Sequence, residues 1–160
     1  ELINEVGLDA VRFFFLMYSP NTHMDFDMKL AKEHSEKNPV YYVQYAHARL
    51  SSILRKAKLP NTKYKIQDTK YLKTKGELDL IRKLVEFPEL LSEVSRNYEV
   101  HRLSRYSLEL AREFHNFYEK YRVITEDKKL MAARLSLAAA VKIVLANVLN
   151  LMGINAPDKM

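Results

Sequence analysis

Apolar residues recur at threes and fours along most of this chain, and no stretch sustains the alternation of a half-buried strand. In residues 39–57, Val43, Ala46, Leu50, Ile53 and Ala57 form one continuous stripe at about 100° per residue. Asn38 stands before it as a side-chain cap. Pro39 takes the first helical position, where a missing amide has no intrahelical partner to lose. The pattern predicts a helix from Pro39 to about Lys56. Upstream, the spacing predicts short helices over Leu8 to Met17, stopped by Ser19-Pro20, and over Asp27 to about Ser35. Downstream, Leu59 to Lys75 contains Pro60, Asn61 and scattered charge, and reads as a loop. Leu78, Leu80, Ile81, Leu84 and Val85 predict a helix from Glu77 to Val85. Phe87-Pro88 should break it before a short helix from Glu89 to Arg96.

Two longer helices follow. From about Val100 to Arg122, Leu103, Tyr106, Leu110, Phe114, Phe117 and Tyr121 define a buried stripe, with Tyr118 beside it. Tyr106 and Tyr121 read as core rings whose hydroxyls reach the surface. From about Asp127 to Met152 the chain is apolar on nearly every side, and Gly153 ends the helix in a left-handed cap. Leu135 to Met152 is 18 residues long, which raises a membrane span. Lys142, Asn147 and Asn150 interrupt it, and a helix apolar all round is commonly the central element of a bundle. The expected fold class is therefore all-α: a bundle of five to seven helices packed around a hydrophobic C-terminal helix. Short connections place the Pro39 and Val100 helices against that central one. Tyr42, Tyr45, Arg49 and Tyr118 would then share one rim.

Composition narrows the function. A chain of 160 residues, 48% apolar, can bury one good core and is too short to count on two. It has no cysteine, so disulfides and thiolate metal sites are excluded, which suits a cytoplasmic setting. It opens Glu1-Leu2-Ile3 without an initiator methionine or a signal segment, and reads as a piece of a longer protein. The net charge of +6 favours a polyanionic partner only slightly. Its distribution says more. Between Arg55 and Lys75 eight bases stand against Asp68 alone, whereas in the first 37 residues seven acids outnumber four bases. Arg55, Lys56, Lys63 and Lys65 are candidate phosphate contacts. A solvated, charged loop is the other reading of that run.

Catalytic chemistry is missing. None of the five histidines forms a His-Glu-x-x-His pair, and there is no glycine-rich phosphate loop and no Gly-x-Ser-x-Gly elbow. His47, between two alanines near the apolar stripe, reads as a hydrogen-bonded structural residue. One face has no packing purpose. Tyr42, Tyr45 and Arg49 line up about a quarter-turn from the apolar stripe. Rings one turn apart, with a guanidinium a further turn along, can stack unpaired bases and hold the adjacent phosphate.

These residues also carry a family resemblance. The run Asn38 to Arg49, continued by Leu50-Ser51-Ser52-Ile53, resembles the start of the anticodon-binding domain of arginyl-tRNA synthetases, a DALR-type domain. Gly7 to Phe14, Asp25-Phe26-Asp27 and Leu30-Ala31 resemble the stretch joining the catalytic core to that domain. Gly153 to Met160 resembles the family's carboxyl terminus. The resemblance implies that residues 1–37 are a connecting helical segment and 38–160 the anticodon-binding bundle, compact overall. It implies that Tyr42, Tyr45, Arg49, Tyr118 and Met160 face the anticodon loop of an arginine tRNA. It further implies a monomeric parent enzyme, an arginine-tRNA ligase using ATP with magnesium. The catalytic core of that parent would lie upstream and pack on this chain. Its His-Ile-Gly-His and Lys-Met-Ser-Lys-Ser signatures are not in this sequence. Two alternatives stay open here. One is a helical protein-interaction module docking through an exposed patch of Phe13, Phe14, Phe15 and Met17; the other is the related domain of a glycine-specific synthetase.

Overall fold

The computed structural model describes residues 1–57 and 69–160. Among the described residues there are seven α-helices and one 3-10 turn, and no strand. In chain order they are α1 (Leu2–Val6), α2 (Leu8–Leu16), α3 (Met28–Ala31), α4 (Pro39–Lys56), the 3-10 turn Thr69–Tyr71, α5 (Lys75–Asn97), α6 (His101–Lys120) and α7 (Lys128–Leu151). Helices α4, α5 and α6 all pack on α7, and α6 also packs on α4 and α5. The all-α bundle around its C-terminal helix is thus the observed architecture. Among the described residues, α7 alone is long and apolar enough to cross a membrane, yet 56% of that apolar window is buried inside the bundle. Leu135, Val141, Leu145, Val148 and Leu149 fill the centre.

Local chemistry sets the helix ends. The Asn38 side chain accepts the Val40 amide, and its own amide donates to the Ala31 and Glu33 carbonyls, tying α3 to α4. Asp127 caps α7 by accepting the Lys129 and Leu130 amides. At the other end Gly153 takes φ +68, a left-handed conformation natural to glycine. Its amide bonds to Asn150 and that of Ile154 to Leu149, the paired bonds of a Schellman cap.

Four expectations need correction. Helix α5 does not break at Phe87-Pro88 but runs unbroken from Lys75 to Asn97. Phe87, Leu80, Leu90 and Val94 are all buried along one face, and that burial outweighs the one intrahelical bond proline forgoes. Helix α3 is only one turn long, because the chain leaves it to deliver Asn38 to its cap. The Tyr106 hydroxyl does not reach solvent: it donates to the Lys83 carbonyl at 2.7 Å, joining α6 to α5. The apolar patch on α2 is also not open. Phe13 is wholly buried and Phe14 packs on Phe26, which leaves Phe15 as the exposed ring. As for the loop expected from Leu59 to Lys75, its first ten residues lie outside the described residues.

A buried ion pair joins α5 to α7. Glu77 and Arg134 are 0% and 7% exposed, and the Arg134 Nε donates to Glu77 at 2.7 Å. The other Glu77 oxygen accepts the Lys73 and Thr74 amides, completing a capping box with Thr74. Burial alone would raise the Glu77 carboxyl, but the Thr74 amide and Arg134 outweigh it and hold it below the usual glutamate range.

The C-terminal tail is clamped to α4. Gln44 donates to the Asn155 carbonyl, His47 Nδ1 to the Pro157 carbonyl at 2.8 Å, and Ser51 Oγ to Asp158 at 2.7 Å. Lys142 of α7 completes the clamp, 2.9 Å from Asp158. The Lys142 ammonium and the Ser51 hydroxyl hold the Asp158 carboxyl down to about 2. His47 is therefore a buried, hydrogen-bonded structural residue, as its position between alanines suggested.

Candidate nucleic-acid interface

Between α4 and α6 opens a cleft of about 530 Å³, walled by Tyr41, Tyr42, Tyr45 and Arg49 from α4 and by His115 and Tyr118 from α6. The helical spacing builds each wall. Tyr41 and Tyr45 are one turn apart on α4, and His115 and Tyr118 nearly one turn apart on α6. Val43, Ala46 and Leu50 seat α4 in the core, and Phe114 and Phe117 do the same for α6. The polar flanks of both helices are thereby turned toward each other.

Three rings form a ladder. Tyr41 and Tyr45 lie 6.3 Å apart at 10° between planes, and Tyr45 and His115 6.0 Å apart at 13°. Tyr42 sits deeper, tilted at 42° against His115 with centroids 4.8 Å apart. Burial pushes the Tyr42 hydroxyl above the ordinary tyrosine value. Tyr45 is the open member, 40% exposed. Beyond the ladder, Arg49 donates to the Tyr118 hydroxyl at 3.0 Å and lies 4.9 Å above the centroid of the same ring. This double contact holds the guanidinium at the cleft mouth while leaving other N–H groups to bind an anion.

The four residues expected to share a rim, Tyr42, Tyr45, Arg49 and Tyr118, do so. Met160, which the resemblance alone placed beside them, is exposed and lines a neighbouring groove of about 470 Å³ with Gln44 and Asn155. Tyr41 belongs to both hollows and forms the wall between them. Among the basic candidates, Lys56 joins Arg49, Tyr118 and Arg122 around a further groove that continues from the cleft, whereas Arg55 is exposed on α4 and lines neither. Lys63 and Lys65 lie outside the described residues.

Tyr41 and His115 were missed in the sequence. Tyr41 carries the same signal as Tyr42, an aromatic one turn before another at Tyr45. His115 is marked only by its spacing of three from Tyr118. Burial pushes its imidazole below the usual histidine value, against the opposing pull of Glu119 and Glu36. Among the described residues no three His, Asp or Glu side chains converge to hold a metal.

Similarity to known proteins bears on this cleft. The DALR anticodon binding domain family matches residues 43–160, which include every cleft residue named above except Tyr41 and Tyr42. An arginine-tRNA ligase of Dehalococcoides mccartyi is 52% identical over all 160 residues, a span equal to 29% of that protein. One from Listeria welshimeri is 49% identical, again across the whole chain and 29% of its own length. The structure of Thermus thermophilus arginyl-tRNA synthetase superposes with a TM-score of 0.79 and 34% identity, covering 98% of this chain and 27% of that one. This chain thus spans under a third of the length of the curated relatives it matches. With the family match extending over well more than half of its residues, the chain belongs to the DALR anticodon-binding domain family.

Proposed function

We propose that this chain is the anticodon-reading part of an arginine-tRNA ligase, and that the cleft between α4 and α6 receives splayed anticodon bases. The observation that carries the reading is the ladder of Tyr41, Tyr45 and His115 beside the Arg49–Tyr118 pair. Flat faces stack on any base, and the guanidinium holds a phosphate or a base edge. Tyr42 braces the floor, Tyr118 orients Arg49, and Met160 closes the neighbouring side. Lys56 and Arg55 add sequence-independent attraction to the backbone.

Selectivity then follows from codon chemistry. Arginine codons are of the CG-any and AG-purine types, so their anticodons share a middle cytosine. Cytosine offers an amino donor where uracil offers a carbonyl acceptor, so the site must present an acceptor to that edge. In the parent enzyme, residues 1–37 connect the reading domain 38–160 to a catalytic core that supplies ATP and magnesium chemistry. The domain works as a monomer on a single tRNA in the cytoplasm.

The test is a titration of this chain with arginine-tRNA anticodon stem-loops carrying C or U in the middle position. Tighter binding of the cytosine loop is expected. Equal binding of both, or binding no better than that of an unrelated hairpin of the same length, would refute the proposal.

A further inference from the structure

His115 Nε2 is buried and has no hydrogen-bond partner in the protein. Buried polar atoms are nearly always paired, and a phenylalanine at this position would pack without leaving such an atom unpaired. Folding alone therefore gives no reason for a histidine here. The His115 ring lines the cleft and packs against the Tyr42, Tyr45 and Phe114 rings, with Nε2 on its buried side. A local rule broken inside a binding cleft points to the ligand.

The geometry offers that ligand a place. Near-parallel rings with centroids 6.0 Å apart are the offset arrangement of aromatic pairs, so the imidazole covers only part of the Tyr45 face. A base stacking on the uncovered part lies roughly in the plane of the imidazole. Its edge then meets the ring edge of His115. Tyr45 is 40% exposed, so part of it is open to such a base.

We propose that His115 is a base-reading residue of this cleft, its Nε2 accepting a hydrogen bond from the exocyclic amino group of a cytosine stacked on Tyr45. The inference rests on the anticodon reading above and supplies the acceptor that reading requires. Burial keeps the imidazole neutral, so one ring nitrogen retains its lone pair. The charged groups around it are Glu36 ahead of α4, Arg49 on α4 and Glu119 on α6; the two carboxylates pull toward the charged form, Arg49 pulls away from it, and burial outweighs the carboxylates. Uracil presents a carbonyl to the same lone pair and is repelled.

His115→Phe is the decisive variant because it keeps a flat ring and deletes both nitrogens. Wild type and variant are each titrated with the C and U stem-loops, and the melting temperature of both is recorded. The variant is expected to melt no lower than wild type, since the unpaired atom is gone. Its affinity for the cytosine loop should fall about fivefold, the effect of one hydrogen bond, with the uracil loop unchanged. A merely structural histidine would show no such divergence between stability and selectivity. A His115→Phe protein that prefers cytosine as strongly as wild type overturns the inference and leaves the anticodon reading standing. Wild type that binds the cytosine and uracil loops equally overturns the anticodon reading as well as this inference. Failure of folded wild type to bind either loop overturns the anticodon reading itself, and this inference with it.

Discussion

Tyr45 separates binding from folding more cleanly than any other residue of the cleft. Its ring is 40% exposed and touches the Tyr41 and His115 rings, while α4 is anchored by Val43, Ala46 and Leu50. Tyr45→Ala should therefore change stability by no more than about 0.5 kcal/mol, the usual range for a surface position. Loss of a stacking ring costs about 1 to 3 kcal/mol of single-strand affinity. Part of the Tyr45 face is already covered by His115, so the lower half of that range applies, near 1.5 kcal/mol, or roughly a tenfold rise in Kd. The assay is fluorescence anisotropy of a labelled arginine-tRNA anticodon stem-loop at fixed ionic strength, because phosphate contacts make affinity salt-dependent. Tyr45→Phe serves as the control that keeps the ring and should bind within about twofold. If Tyr45→Ala melts like wild type and still binds the loop equally well, the stacking role is wrong.

Three further outcomes test the framework around the cleft. Arg134→Met strands the buried Glu77 carboxylate and should lower stability by about 3 to 5 kcal/mol in urea titration; a loss under about 1 kcal/mol would contradict the importance given to that pair. Pro88 is exposed within continuous α5, so Pro88→Ala restores an amide for the Leu84 carbonyl and should raise stability by about 1 to 3 kcal/mol, measured the same way. Acid should destabilise the fold in two stages. His47 and His115 are both held below their unfolded value by burial, so the unfolded chain binds more protons and stability falls as pH drops through about 6.5. Asp158, held at about 2, adds stability that is present above its unfolded value near 4 and disappears as pH falls from there through 2. A urea midpoint that stays constant from pH 7 to about 5 would refute the histidine part.

The sequence by itself determined whatever depends on neighbours within a turn or two. Asn38 with Pro39, Asp127, and Gly153 before Ile154 mark helix ends through bonds spanning only a few residues, and each stands where its chemistry required. The stripe of Val43, Ala46 and Leu50, and the flank of Tyr42, Tyr45 and Arg49, follow from helical periodicity in the same way. Tertiary structure decided what depends on distant partners. Arg49 meets Tyr118 across 69 positions, and no periodicity on α4 indicates that His115 will fill the cleft wall beside Tyr45. The same holds for Phe13 and Phe14, which are buried against segments later in the chain, the core helices for Phe13 and Phe26 for Phe14, and for Pro88, where packing of Phe87 and Leu90 overrode a local stop signal. Met160 shows the difference most plainly. Its clamp through His47, Ser51 and Lys142 places it beyond Tyr41, in the adjoining groove, because the path of the tail is fixed by groups on two other helices. Short-range bonds set where each helix begins and ends; which flanks then face each other is settled only when the apolar stripes bury themselves together.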